Sequence, residues 1–386
     1  MSVTAPGGFR AAGVAAGIKT SGGRDVALVV NDGPSDVAAA VFTRNRVKAA
    51  PVLWSQQAVA DGRARAVVLN SGGANACTGP GGFADTHRTA EHVAAVLDVG
   101  AGDVLVCSTG LIGERLPLQQ VLAGAAQAAA GLDRGDDAGS AAADAIRTTD
   151  TVAKQAVLRH DDGWTLGGMA KGAGMLAPSL ATMLCVLTTD AVLDAATADA
   201  ALREAVRVTF DRVDSDGATS TNDTVVLLAS GASGVSPDPS AFTSALTEVA
   251  QDLALQLVAD AEGATKEVTI EVVSAVSEAD AVEVGRAVAR DNLVKTALFG
   301  GDPNWGRIVA AIGTTAASFE PDDLDVAING VVVCHSGAAG EPRDRVDMSG
   351  RAVNIVVDLH AGVHTATIWT NDLSHGYVHE NSAYSS

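Results

Sequence analysis

Two rhythms of apolar and polar residues alternate along the chain. Short, nearly continuous apolar runs bounded by Gly, Asn, Asp or Pro predict strands over 25–31, 37–43, 66–70, 103–107, 182–188, 224–228 and 268–273. Three further pairs of such runs flank turn dipeptides and predict hairpins. They are 156–160 and 164–167 around Asp162-Gly163, 324–328 and 331–334 around Asn329-Gly330, and 353–359 and 365–369 around Ala361-Gly362. The second rhythm recurs every three to four residues. It is clearest over 240–262, where Phe242, Leu246, Val249, Leu253 and Leu257 share one helix face and Gly263 stands at the C′ position. Asp85 is placed to cap a helix carrying Ala90, Val93, Ala94 and Leu97, Pro117 to open one over 118–131, and Ser277 to begin one carrying Ala281, Val284 and Val288. The Ala/Gly/Asp-rich stretch 123–145 reads as a helix, an exposed loop and another helix, 140–147. The mixture predicts an α+β fold, a layered sandwich of mixed or antiparallel sheets flanked by helices.

Composition adds scale. With 386 residues, 47% hydrophobic, the chain is too long for one small core. Its formal net charge is −20 and no Lys/Arg cluster stands out, so neither nucleic acid nor an anionic membrane is expected as a partner. In so acidic a chain, an anionic substrate needs a local cation to hold it. The four cysteines, Cys77, Cys107, Cys185 and Cys334, form no CxxC pair, and Cys107 and Cys185 fall in apolar runs. Buried free thiols in a reducing compartment are expected. Lys19 interrupts the Ala/Gly-rich start, so it makes no signal h-region, and no apolar stretch reaches membrane-spanning length. A cytoplasmic location is the expectation.

Several familiar motifs fail on inspection. The stretch NSGGANACTGPGG (70–82) lacks both the GK[ST] ending of a P-loop and GxGxxG spacing, and reads as a turn-rich loop. His87 and His92 are five apart and fall on different helix faces, and no HExxH occurs. Asp214-Ser215-Asp216-Gly217 resembles the start of a calcium loop, but its twelfth position is Val225, so the bidentate acid is missing. No metal is expected, and the absence of GxSxG removes the usual serine-hydrolase elbow.

One stretch, KGAGMLAPSLATMLCVLTTD (171–190), carries chemistry of its own. It puts Thr182 at the mouth of an apolar run, after the small Ala181. A threonine hydroxyl is a poor nucleophile until a base takes its proton. An N-terminal threonine supplies that base itself, because an α-amine of reference pKa about 7.7–8.0 is substantially neutral near neutral pH. Exposing the amine requires a cut between Ala181 and Thr182, which the same hydroxyl can make by attacking the unobstructed Ala181 carbonyl. Read locally, a strand-opening threonine is the ordinary alternative.

KGAGMLAPSLATML also resembles the self-cleavage motif of the ornithine acetyltransferase family, the glutamate N-acetyltransferases of arginine biosynthesis. CSTGLIGERLP (107–117), TTDTVAK (148–154), DSDGATSTNDT (214–224), EGATK (262–266), LVKTALFGGDPNWGR (293–307) and NSAYSS (381–386) resemble further segments of that family, in its order and across essentially the whole chain. The resemblance implies a fold related to, but distinct in topology from, the N-terminal-nucleophile hydrolases. It implies self-cleavage into an α chain, 1–181, and a β chain, 182–386, held together as an α2β2 heterotetramer. The implied reaction moves acetyl from N-acetylornithine to glutamate through an acetyl-threonine ester, with no metal or organic cofactor, and leaves acetyl-CoA open as a second donor.

The resemblance also assigns roles. Thr182 is the nucleophile, and Thr109 with Gly110 forms the oxyanion hole, where a glycine after a strand lets backbone N–H groups face a developing charge. Thr148, with Thr149 as its neighbour, lines the substrate pocket. Lys171 and Glu262 contact the amino-acid head group shared by donor and acceptor. For Glu262 there is an independent reason: an acid in the last turn of the predicted helix opposes the helix dipole, and a substrate ammonium would compensate it. Asn381 and Ser386 contact substrate from the tail; many members end in threonine, so at Ser386 the hydroxyl is kept. Asn304-Trp305 is structural or pocket-forming. Two other readings remain on the residues: an N-terminal-nucleophile amidohydrolase or aminopeptidase, in which water resolves the ester, and an amino-acid-binding protein that never cuts itself.

Overall fold

In a computed structural model, residues 2–176 and 183–383 are described. The described residues divide into two compact units, the first from 2–175, 183–211 and 218–257, the second from 176, 212–217 and 258–383.

Two sheets build the first unit. One orders Phe9–Val14, Val26–Asn31, Ala66–Asn70 and Val104–Ser108, antiparallel except for the last, parallel pair. The other orders Val37–Phe42, Thr224–Ala229, Leu184–Thr189, Thr165–Lys171 and Lys154–Arg159, with one parallel pair, Leu184–Thr189 on Thr224–Ala229. Strands such as VALVVN are apolar without alternation because both faces are buried. Ala27 and Val29 join Met169, Val186 and Val226 in a core between the sheets. Val26, Leu28 and Val30 point the other way, to a second core with Ala90, Val93, Ala125 and Ala128 of the helices Gly79–Leu97 and Leu118–Ala130. The free cysteines Cys107 and Cys185 are buried, as expected of residues inside such strands, as is Cys334; Cys77 is exposed.

The second unit is a six-stranded mixed sheet in the order Ala338–Ala339, Val331–His335, Asp325–Ile328, Ala352–Asp358, Glu267–Ala275, His364–Asn371. Val268, Ile270 and Val272 pack with Val284, Val288, Ile308 and Ile312 of the helices Glu278–Arg290 and Trp305–Ile312. The Asn329-Gly330 hairpin forms as expected, both turn residues at positive φ (47° and 83°).

Three expectations are corrected. The runs flanking Ala361-Gly362 do not pair with each other, because Glu267–Ala275 lies between them, parallel to one and antiparallel to the other. The connecting loop closes over the end of that strand instead, Leu359 N–H donating to the Val273 carbonyl and Ala361 and Gly362 N–H to that of Ser274. Asp85 is no helix cap: the helix begins at Gly79, six residues earlier, with Pro80 in its first turn, where a missing N–H costs nothing. The buried Asp85 carboxylate instead takes the Arg115 guanidinium at 2.6 Å. Finally, the long helix runs Pro239–Ala259, so Glu262 stands in the turn beyond its end rather than in its last turn. Gly263 does take the positive φ (64°) anticipated for it. Among the described residues no helix is long and apolar enough to cross a membrane.

Candidate active site

The first unit brings Thr109 and Lys171 together. Val104–Ser108 ends one sheet and Thr165–Lys171 ends a strand of the other, and Lys171 Nζ donates to Thr109 Oγ1 at 3.3 Å, both residues almost wholly buried. Thr109 is fixed by its backbone: its N–H donates to the Asn70 carbonyl (3.0 Å) and its carbonyl accepts from Gly73 N–H (3.0 Å). Because Lys171 occupies the acceptor side of the hydroxyl, the Thr109 O–H is oriented to donate away from it. Gly110 has φ of 129°, and a Cβ there would lie 2.8 Å from Gly73 N, so only glycine fits this close approach. Among the described residues no acceptor takes its N–H. A hydroxyl and a backbone N–H, set side by side on a rigid strand end, suit an oxyanion.

Behind them lies a carboxylate not singled out from the sequence. Asp150, its side chain sealed from solvent, accepts from Lys154 Nζ (2.7 Å), Gly172 N–H (2.6 Å) and Thr148 N–H (2.9 Å). Burial pushes its pKa up, but the charges of Lys171 and Lys154 and these hydrogen bonds outweigh it and hold Asp150 below the ordinary carboxylate range. Thr148 is thereby fixed through its backbone, and its hydroxyl lies 3.5 Å from the same carboxylate; the neighbouring Thr149 is half-buried. The TTDTVAK segment therefore folds around Asp150, and it is Asp150 that ties Thr148 and Lys171 into one electrostatic unit.

The second unit gathers a different group. Asn381 Nδ2 donates to Glu262 Oε2 at 3.0 Å. Glu262 lines a cavity of about 140 Å³ with Asp216, Lys295, Asn371, Asp372 and Tyr377. Burial moves Lys295 down to about 8 despite Asp214, Asp216 and Asp372, and its ammonium donates to Thr370 Oγ1 (3.1 Å) and the Asn371 carbonyl. Burial also raises Asp214 to about 6, only partly offset by Arg290 at 2.6 Å. Asp214 is thus engaged by an arginine, which is what became of the apparent calcium-loop start. Burial raises the Tyr377 hydroxyl to about 12, helped by the charges of Asp216 and Glu262. Ala181, Thr182 and Ser386 lie outside the described residues.

The chain matches the ArgJ family over residues 10–386. It belongs to that family. It is 66% identical over 385 residues to the arginine biosynthesis bifunctional protein ArgJ of Thermobifida fusca, each chain being covered in full. It is 59% identical over 389 residues to that of Mycobacterium tuberculosis (strain ATCC 25618 / H37Rv), covering all of this chain and 96% of that one. Among solved structures it is similar to the ornithine acetyltransferase from Mycobacterium tuberculosis complexed with ornithine, at 66% identity and a TM-score of 0.46 over 46% of this chain and 95% of that chain.

Seen as a member of the ArgJ family, the chain holds residues that sequence reasoning missed for an identifiable reason. Asp214, Asp216 and Asp223 look alike within DSDGATSTNDT, yet Asp214 meets an arginine and Asp223 is buried against a backbone amide. Only the sheet pairing separates them. Asp150 and Lys154 carried a usable signal, opposite charges four apart, but between them the chain is a turn entering a strand rather than a helix.

Proposed function

We propose that the chain is a glutamate N-acetyltransferase of arginine biosynthesis that passes acetyl from N-acetylornithine to glutamate through an ester on Thr182. The observation that carries this reading is the buried Lys171–Thr109 contact beside the glycine-only turn at Gly110, in a chain that is similar over its whole length to the arginine biosynthesis bifunctional proteins.

In this reading the chain cuts itself between Ala181 and Thr182. The freed amine takes the Thr182 hydroxyl proton as Oγ attacks the acetyl carbonyl. Gly110 N–H and the Thr109 hydroxyl receive the oxyanion, and Lys171 Nζ, donating to Thr109 Oγ1, polarises that hydroxyl and makes it a stronger donor. Ornithine leaves with the proton, and the glutamate amine then attacks the ester from the same side. The family-like segments assign substrate contacts to Thr148, Thr149, Lys171, Glu262, Asn381 and Ser386, and the Glu262 carboxylate, which accepts from Asn381 Nδ2, suits a substrate ammonium. The two chains stay associated as α2β2, and no metal or organic cofactor takes part. Purified protein given N-acetylornithine and glutamate should form N-acetylglutamate and ornithine in equal amounts. Acetate release that ignores glutamate would select the hydrolase reading instead. Acetyl-CoA plus glutamate, run alongside, reports whether the same ester is loaded from a second donor.

A further inference from the structure

The self-cleaving reading, on which this inference rests, leaves a chemical gap. The α-amine that serves as base in acetyl transfer does not exist in the uncut chain, where the Thr182 nitrogen is a peptide amide without a basic lone pair. The first cut therefore needs another base. Among the buried groups of the first unit, Lys171 is a donor to Thr109, and Asp150 is saturated by Lys154, Gly172 and Thr148, which also lowers its basicity.

Asp223 differs from both. It is fully buried, its Oδ1 accepts from the N–H of Met183 at 3.1 Å, and among the described residues Oδ2 has no hydrogen-bond partner. Met183 is bonded directly to Thr182. The carboxylate is held there by a rigid frame. Thr43 N–H donates to the Asp223 carbonyl (2.9 Å), and Thr224 N–H to that of Met183 (3.1 Å). The neighbouring Asn222 donates to the carbonyls of Ala74 (2.6 Å) and Ser108 (2.7 Å), so Asp223 is braced against the strand end that carries Thr109. Burying an unpaired carboxylate oxygen is costly, and such a group is retained where it has work to do.

We propose that Asp223 is the general base, and then the general acid, of self-cleavage at Ala181-Thr182. Asp223 Oδ2 takes the Thr182 hydroxyl proton as Oγ bonds to the Ala181 carbonyl carbon. The C–N bond of the Ala181-Thr182 peptide then breaks, and the proton held by Asp223 passes to the departing nitrogen. This gives an Ala181 ester on Thr182 Oγ with a free Thr182 amine. Water hydrolyses that ester, returning the hydroxyl to Thr182 and leaving Ala181 as a carboxylate. Once cut, the chain holds its amine base permanently, so Asp223 acts once. Burial raises the Asp223 pKa well above the usual range; the Met183 hydrogen bond, the nearby polar Ser220 and the charge of Lys171 offset this only in part. A carboxylate so placed is a stronger base than an ordinary one.

The test is a pulse-labelled, full-length chain followed by denaturing gel, for wild type and Asp223→Asn. The asparagine keeps an acceptor for Met183 N–H and removes the base. Wild type should split into 1–181 and 182–386 with a rate that falls about tenfold per pH unit below an apparent pKa above the ordinary carboxylate range. Asp223→Asn should cut at least 100-fold more slowly, with an unchanged melting profile. Hydroxylamine, which attacks esters, should not restore its cut, because no ester has formed. Partial recovery in Asp223→Glu supports the role. Wild-type cutting with no acid limb overturns the proposal without any variant, so it stands or falls even if Asp223→Asn fails to fold. Asp223→Asn cutting at the wild-type rate, or being rescued by hydroxylamine, also overturns it. A wild-type chain that never cuts defeats the self-cleavage reading itself, a different result.

Discussion

At the scale of single residues, the site combines groups whose individual burial would be unfavourable. Asp150, Lys154 and Lys171 are nearly inaccessible, and each is tolerable only because the others are present. Replacing Asp150 by Ala leaves the Lys154 and Lys171 ammonium groups without their acid, and should lower unfolding free energy by about 3–5 kcal/mol, measured in denaturant. The pH sign follows from its depressed pKa. Its stabilisation is fully present above the ordinary carboxylate range and is lost as pH falls through that range toward the lower folded value, so wild type and variant should converge in acid. Thr109→Val tests catalysis rather than folding: losing one oxyanion donor should reduce kcat by about 10²–10³ with little change in KM. An unchanged kcat would remove Thr109 from the oxyanion site. These residues were legible only through the family-like segments that carry them. Local pattern marks Lys171 as a loop lysine, whereas pairing with 184–189 makes it the last residue of a buried strand.

At the scale of elements, the strand and helix rhythms located most of the sheet, and the failures came where partners are distant in sequence. The Ala361-Gly362 hairpin was a sound local inference. It fails because Glu267–Ala275, about eighty residues earlier in the chain, offers two long edges and both flanking runs take one. Turn chemistry was most legible where φ is demanding. At Gly110 an added methyl group meets Gly73, so Gly110→Ala should displace the Thr109 loop, lowering stability by about 1–3 kcal/mol and activity by more than the stability loss explains. Burial of Asp214, which the pairing with Arg290 of the helix Glu278–Arg290 only partly offsets, gives the second unit its own pH response. Here the folded pKa is raised, to about 6, from an ordinary value of about 3.9. The associated stability is present below that ordinary value and is lost as pH rises through about 6. Asp214→Asn should therefore flatten the stability profile over that window by on the order of 2–3 kcal/mol, read from melting at successive pH values.

At the scale of the whole molecule, the family resemblance implies two polypeptides divided at one scissile bond, and the compact units are interleaved along the chain. Sequence resemblance reports chemistry at a peptide bond; contact density reports packing, and the two need not coincide. The proposed reaction requires acetyl to reach Thr182 after the chain has cut itself there. The most direct measurement is intact-mass analysis of the denatured protein after exposure to isotope-labelled N-acetylornithine without glutamate, quenched in acid. The expected result is fragments 1–181 and 182–386, with one labelled acetyl group on the N-terminal threonine of the second that disappears when glutamate is added. A single uncut chain in an active preparation, or a second fragment that never carries label, would contradict it.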